Sequence, residues 1–99
     1  MTIAKTQNGD SLTLSLSGRL DTTTAPQLQE ALLPALDAAG AVELDFTELS
    51  YVSSAGLRVL LMGEKTAKAK AVTMTLTHVS ADVMEVFTMT GFDGILQLA

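Results

Sequence analysis

Leu49-Ser50-Tyr51-Val52-Ser53-Ser54-Ala55-Gly56-Leu57-Arg58-Val59-Leu60-Leu61 sets two serines between an apolar strand and an apolar helix. The strand is Val42-Glu43-Leu44-Asp45-Phe46, with Val42, Leu44 and Phe46 on one face and Glu43 and Asp45 on the other. That alternation marks a half-buried strand. The spacing predicts a helix over about 54–69, along which Gly56, Val59, Leu60, Gly63 and Ala67 recur on one face. Their small side chains suit close packing against a sheet. A hydroxyl in the first turn of such a helix lies among backbone N–H groups that have no intrahelical acceptor, near the positive end of the helix dipole. A phosphate attached there is compatible with the fold, so the junction is a place where a reversible charge can be written.

Toward the N-terminus, residues 2–7 predict an edge strand and Asn8-Gly9 a tight hairpin turn. Residues 11–17 alternate strictly, with Leu12, Leu14 and Leu16 on one face. A first helix is expected over about 24–39. Thr24 and Gln27 match a capping box, and Pro26 sits in the first turn. Leu28, Leu32, Ala35, Leu36 and Ala39 form its buried stripe, and Gly40 its stop. Pro34 faces away from that stripe and predicts a bend or a local break. Toward the C-terminus, residues 72–77 alternate Val72, Met74 and Leu76 with Thr73, Thr75 and Thr77. A third helix starts after Ser80 as N-cap and buries Val83, Val86 and Phe87 before Gly91. Ile95-Leu96 reads as a short last strand or as an apolar tail.

Alternating strands and helices imply parallel pairing through right-handed crossovers. If the strands add in one direction, every crossover helix falls on the same side. The alternation supports this, because a sheet covered on both faces would read as continuous apolar runs. The expected fold is α/β: a small mixed β-sheet with an antiparallel N-terminal hairpin edge, the remaining strands parallel, and helices mainly on one face. With 99 residues the chain is read as a single domain, 1–99.

Composition narrows the function. Apolar residues at 47% against 17% charged exclude a disordered tail. The net charge of −5 and the lack of a basic cluster able to follow a phosphate backbone argue against nucleic acid and direct membrane binding, and favour a basic protein surface as partner. The chain has no cysteine, which removes disulfide and thiolate chemistry and fits a cytoplasmic protein. No apolar run approaches ~18 residues. The one histidine, His78, follows a strand and reads as a surface or capping residue. Glu43 and Asp45 read as solvated, no glycine-rich phosphate loop is present, and no cluster has metal-ligand spacing. These observations argue against an enzyme and call for no cofactor, metal or small-molecule substrate. On the second helix Leu57 and Leu61 fall on a separate face, beside Arg58 and Met62. They either contact a neighbouring helix or form an exposed apolar patch for a partner next to Ser54.

Three segments carry a family resemblance. Gly18-Arg19-Leu20-Asp21, followed by Thr24-Ala25, resembles the Gly-x-Leu-Asp segment of the STAS-domain anti-sigma-factor antagonists. Val52-Ser53-Ser54-Ala55-Gly56-Leu57 resembles their Asp-Ser-Ser/Thr-Gly-Leu phosphorylation motif, and Phe87-Thr88-Met89-Thr90-Gly91-Phe92 their closing helix and turn. The order and spacing of the three cover nearly the whole chain. The resemblance implies a partner that is both serine kinase and anti-sigma factor, with Ser54 as its phosphate acceptor and Ser53 as second choice. It also implies a PP2C-type phosphatase as the resetting partner. Asp21 matches the aspartate that helps to bind the kinase. The chain departs at Ser53, where the family has aspartate, and at Ala55, before the glycine.

Independently of the family, Asp21 and Ser53-Ser54 lie beyond the carboxyl ends of neighbouring parallel strands, the edge where such sheets place their sites, so Asp21 and Ser54 are expected to be close. The expected docking surface is Asp21, Ser53, Ser54, Gly56, Leu57, Arg58 and Leu61. The rival expectation is an accessory subunit of a membrane transporter, which needs a docking surface but no phosphorylation.

Overall fold

A computed structural model describes residues 1–99. Strand β1 (Thr2–Asn8) turns into β2 (Ser11–Leu20), and α1 (Ala25–Ala38) leads to β3 (Ala41–Val52). Then follow α2 (Ser54–Ala69), β4 (Thr73–Thr77), α3 (Ala81–Thr90) and a 3₁₀ turn at Phe92–Gly94. The sheet order is β1-β2-β3-β4, antiparallel only between β1 and β2, so the strands do add in one direction.

The hairpin turns at Gly9-Asp10, one residue later than expected, because Asn8 still pairs with Ser11. Of the two turn residues only Gly9 takes a positive φ, at 65°. Glycine at the first turn position satisfies that backbone at no steric cost. Strand β2 also outlasts its expected end, running through Gly18 to Leu20.

The largest departure is in β3, which runs on from Phe46 to Val52. Two register shifts against β2, between Ser15 and Ser17 and between Gly18 and Arg19, each place one extra residue in β3. Strand β2 therefore keeps period two inward through Leu14, Leu16 and Leu20, while β3 turns inward at Val42, Leu44, Phe46, Leu49 and Val52. Each bulge costs a ladder position but resets the pleat, which keeps the apolar set on one face.

Leu28, Leu32, Ala35 and Leu36 of α1 and Val59, Leu60 and Ala67 of α2 join these strand residues in one core, together with Val83 and Phe87 of α3. The Phe46 and Phe87 rings lie 6.4 Å apart, tilted at 49°. Val86, expected to be buried, is only half-buried. Helix α1 passes unbroken through the exposed Pro34. Its expected capping box is absent, since Thr24 makes no side-chain cap bond. Gln27 instead donates from Nε2 to the Met1 carbonyl, at 2.9 Å. Ile95 and Leu96 form no strand: Leu96 is buried as an apolar tail residue, and strand-like pairing comes only two residues later. Leu98 bridges Leu76 in parallel, with Leu76 N donating to Gln97 O at 2.8 Å and Ala99 N to Leu76 O at 3.0 Å. This protects part of the β4 edge. No helix is long and apolar enough to cross a membrane.

Candidate functional site at the strand-to-helix junction

The ends of β2 and β3 run side by side, with Arg19 beside Tyr51 and Leu20 beside Val52 in register. Ser53 N donates to Leu20 O at 2.8 Å, extending the pairing one step past the strand. Asp21 follows Leu20 directly, just past the end of β2, so the turn it opens starts one residue from the strand end that bonds Ser53.

Ser53 and Ser54 have different local tasks. Ser53 is the N-cap of α2: its backbone is extended, and its hydroxyl accepts from Gly56 N at 3.4 Å. Its carbonyl accepts the first helical bond, from Leu57 N at 2.9 Å. Ser54 is the first helical residue and is exposed, and its hydroxyl takes no part in capping. Cap formation therefore commits one hydroxyl and leaves the other toward solvent.

Asp21 organises the turn from β2 into α1. Its Oδ1 accepts from Thr23 N at 3.0 Å and Thr24 N at 3.1 Å. The Thr24 hydroxyl accepts from Asp21 N at 2.9 Å and donates to Arg19 O at 2.7 Å, which explains why it is not available to cap α1 in the expected way. The Thr24 backbone N–H holds the Asp21 carboxyl below the ordinary carboxylate range, helped by the Thr24 hydroxyl and the Thr23 N–H. Its second oxygen, Oδ2, lies 3.9 Å from Arg19 Nε. The Arg19 guanidinium rests over the Tyr51 ring, 4.1 Å from its centroid, an arrangement that favours a cation on the negative ring face. Arg19 and Tyr51 were not among the expected site residues. Their proximity depends on the bulged register of β3, which leaves no periodic signal in the chain.

The other expected docking residues separate by depth. Gly56 is buried, and a Cβ added there would stand 2.7 Å from Leu20 Cγ and 3.1 Å from Leu20 O. Only glycine admits this approach of the helix start to the end of β2. Leu57 is 7% exposed and belongs to the core. Of the two readings of the Leu57 and Leu61 face, packing therefore holds for Leu57, while Leu61 is half-buried. Arg58 is exposed and borders a hollow of about 310 Å³ between the start of α1 and α2, with Thr22, Ala25, Pro26, Ala55 and Met62. Leu61 and Arg58 border a second hollow, of about 290 Å³, with Met62, Lys65 and Thr66.

The open sheet face carries a separate polar network. Thr77 Oγ1 donates to Glu43 Oε2 at 2.7 Å, and Asp45 Oδ1 accepts from the Thr47 hydroxyl at 2.6 Å. His78 Nδ1 lies 3.1 Å from the same Asp45 oxygen. The Thr47 hydroxyl and backbone N–H hold the Asp45 carboxyl below its usual range, with a smaller contribution from His78. Glu43, Asp45 and His78 are thus engaged by their neighbours, away from the Ser54 junction.

Comparison with known proteins fits this architecture. A family model described as "Mlab, STAS domain" matches residues 3–98. The anti-sigma-B factor antagonist of Listeria monocytogenes is 30% identical over 95 residues, covering 95% of this chain and 83% of that protein. The anti-sigma-B factor antagonist of Bacillus subtilis is 26% identical over 93 residues, covering 94% of this chain and 85% of that protein. The Bacillus anti-sigma factor antagonist SpoIIAA shares the fold in two forms. The unphosphorylated form superposes with a TM-score of 0.82 at 22% identity, over 99% of this chain and 88% of that one. The phosphorylated form gives 0.76 at 21%, over 99% and 91%. A match from residue 3 to residue 98, with 30% identity to a relative over 95% of the chain, decides the assignment: this protein belongs to the STAS-domain family that includes the anti-sigma-factor antagonists.

Proposed function

We propose that the chain is an anti-sigma-factor antagonist working as a phosphorylation-controlled protein-binding switch. When unmodified it binds a serine kinase that is also an anti-sigma factor, and this releases the kinase's client. The kinase, using its own ATP and Mg²⁺, then phosphorylates Ser54 and is released. A PP2C-type phosphatase restores the first state. The single observation that carries the reading is the exposed Ser54 hydroxyl at the first position of α2, beside a serine whose own hydroxyl is committed to the cap. Its support among relatives is that two are named anti-sigma-B factor antagonists and that SpoIIAA has been solved with and without phosphate.

The physics of the switch is local. Phosphate adds about −1.5 to −2 charges at neutral pH. Within the chain, the free N–H groups at the start of α2 and the helix dipole offset part of that charge, so the fold is preserved. At the docking surface the new charge sits beside Asp21, whose carboxyl is held ionised by its turn. An interface built for the uncharged serine then loses an estimated ~3–4 kcal/mol, a weakening of about a hundredfold to nearly a thousandfold.

The deciding experiment is intact-mass analysis after incubation with ATP and the partner kinase of the same cell. One added phosphate that maps to Ser54 and disappears in Ser54→Ala supports the reading. Ser54→Ala should then bind the kinase constitutively and Ser54→Asp poorly. A phosphate on Ser53 keeps the switch and moves the acceptor. No mass gain with an active, docking-competent kinase transfers the assignment to a constitutive scaffold, such as a transporter accessory subunit.

A further inference from the structure

The chain carries a net charge of −5, yet four of its six basic residues lie between 58 and 70. Lys70 is answered within the fold by Asp37. Arg58, Lys65 and Lys68 are exposed on α2 and enter no ion pair of the chain. The only acid on α2 is Glu64, and it is buried at 2% exposure, so no carboxylate of the helix stands among these cations at the surface. The accessible side of this helix is therefore cationic on an otherwise acidic protein.

Shape accompanies the charge. The two hollows beside α2, of about 310 and 290 Å³, meet at Arg58 and Met62. Together they extend the exposed surface along the helix from Ala55, next to Ser54, to Thr66. On α2 their larger apolar lining residues are Val59, which is buried, and the half-buried Leu61 and Met62. Arg58 and Lys65 stand seven residues apart, about 10 Å along the helix axis. That is the span over which a partner helix presents its side chains i and i+7.

We infer that the exposed face of α2 docks an acidic, amphipathic segment of the partner protein, its apolar side chains entering the two hollows and its carboxylates facing Arg58 and Lys65. An anionic lipid surface offers the same charge but not the same fit. A helix that lies on a membrane inserts large exposed apolar side chains, and the large hydrophobic residues exposed on this protein, Tyr51, Met89 and Ile95, all lie off α2. The partner would thus meet unpaired cations on α2 and, past Ser54, the Asp21 carboxylate with Arg19 beside it. This orients it on the site. The inference rests on the protein-binding reading above for the class of its partner.

The test uses the full chain and a synthetic helical peptide with leucines on one face and glutamates on the other. Its counterpart has lysines in place of the glutamates. The glutamate peptide should bind, measured by fluorescence anisotropy, and the lysine peptide should not. Binding should weaken as salt rises, because exposed charges are screened over about 8 Å at physiological ionic strength. Arg58→Glu with Lys65→Glu should weaken the glutamate peptide by at least about tenfold, a change of ~1.4 kcal/mol. Amide shifts on peptide addition should map to residues 55–68. Failure of the glutamate peptide to bind, indifference to charge reversal, or shifts confined to the open sheet face would overturn the inference. So would binding to phosphatidylglycerol vesicles that charge reversal abolishes while the peptide does not bind. None of these assays involves phosphate transfer, so failure here is separable from failure of the Ser54 reading, which the mass measurement scores.

Discussion

Ser53 and Ser54 are consecutive hydroxyls with divided roles: Ser53 Oγ accepts from Gly56 N at 3.4 Å, while Ser54 stands exposed one position into the helix. Loss of the cap should cost about 1 kcal/mol, so Ser53→Ala should lower the urea midpoint. Ser54→Ala should stay within about 0.5 kcal/mol of the parent, as for a surface position without a partner. Equal destabilisation by the two substitutions would remove the distinction between cap and acceptor.

Gly56 offers a sharper stability test, because two effects oppose each other there. Alanine is the better helix former by about 1 kcal/mol. Its Cβ, however, would sit 2.7 Å from Leu20 Cγ and 3.1 Å from the Leu20 carbonyl oxygen, which belongs to the backbone of a paired strand and cannot turn aside. Overpacking of that kind costs about 1–3 kcal/mol, so Gly56→Ala should destabilise the fold despite its propensity. A variant as stable as the parent in urea would mean that the start of α2 can shift away from β2.

Glu64 predicts the opposite sign. It is 2% exposed, and its Oε1 has no hydrogen-bond partner. A buried acceptor left unsatisfied costs about 1–3 kcal/mol. Methionine keeps the length of the side chain and removes the polar atoms. Glu64→Met should therefore raise the melting temperature. A fall in Tm would show that the carboxylate is satisfied in solution, for instance by an ordered water.

Acid should act through Asp21 and Asp45. Both carboxyls are held below the reference value of 3.8, Asp21 chiefly by the Thr24 backbone N–H and Asp45 chiefly by the Thr47 hydroxyl. A carboxyl depressed by folding stabilises the native state above its unfolded pKa, and that contribution is lost as pH falls through the folded pKa. Melting temperatures of the parent should therefore drop below about pH 4. The Asp21→Asn and Asp45→Asn double variant should melt lower at neutral pH and show a shallower drop between about pH 4 and pH 2. Parallel curves for the two proteins would assign the acid sensitivity to other groups.

Much of the architecture was legible in local pattern. Leu12, Leu14 and Leu16 alternate, Val42, Leu44 and Phe46 alternate, and the Ser80 cap accepts from Val83 N at 3.2 Å as its position implied. The bounds of α2 coincide with the expected 54–69. Strand order and the shared helix face followed from the chirality of parallel crossovers. At the site, the motif pointed to Asp21, Ser53 and Ser54. It did not distinguish the depth of Leu57 from that of Leu61, because both share one apolar helix face and burial depends on what packs opposite.

What chain pattern could not decide came from contacts distant in sequence. Strand β3 reaches Val52 because β2 pairs with it past two bulges, at which the period-two rule fails by one residue each. Those bulges place Arg19 beside Tyr51. Thr24 turns back to Arg19 O instead of capping α1, because the strand end offers it a carbonyl at 2.7 Å. Residue periodicity determines which side chains avoid water, and that was enough for the elements and their faces. The register between strands is set by hydrogen bonds formed only when both are in place, and that register decides what stands around Ser54.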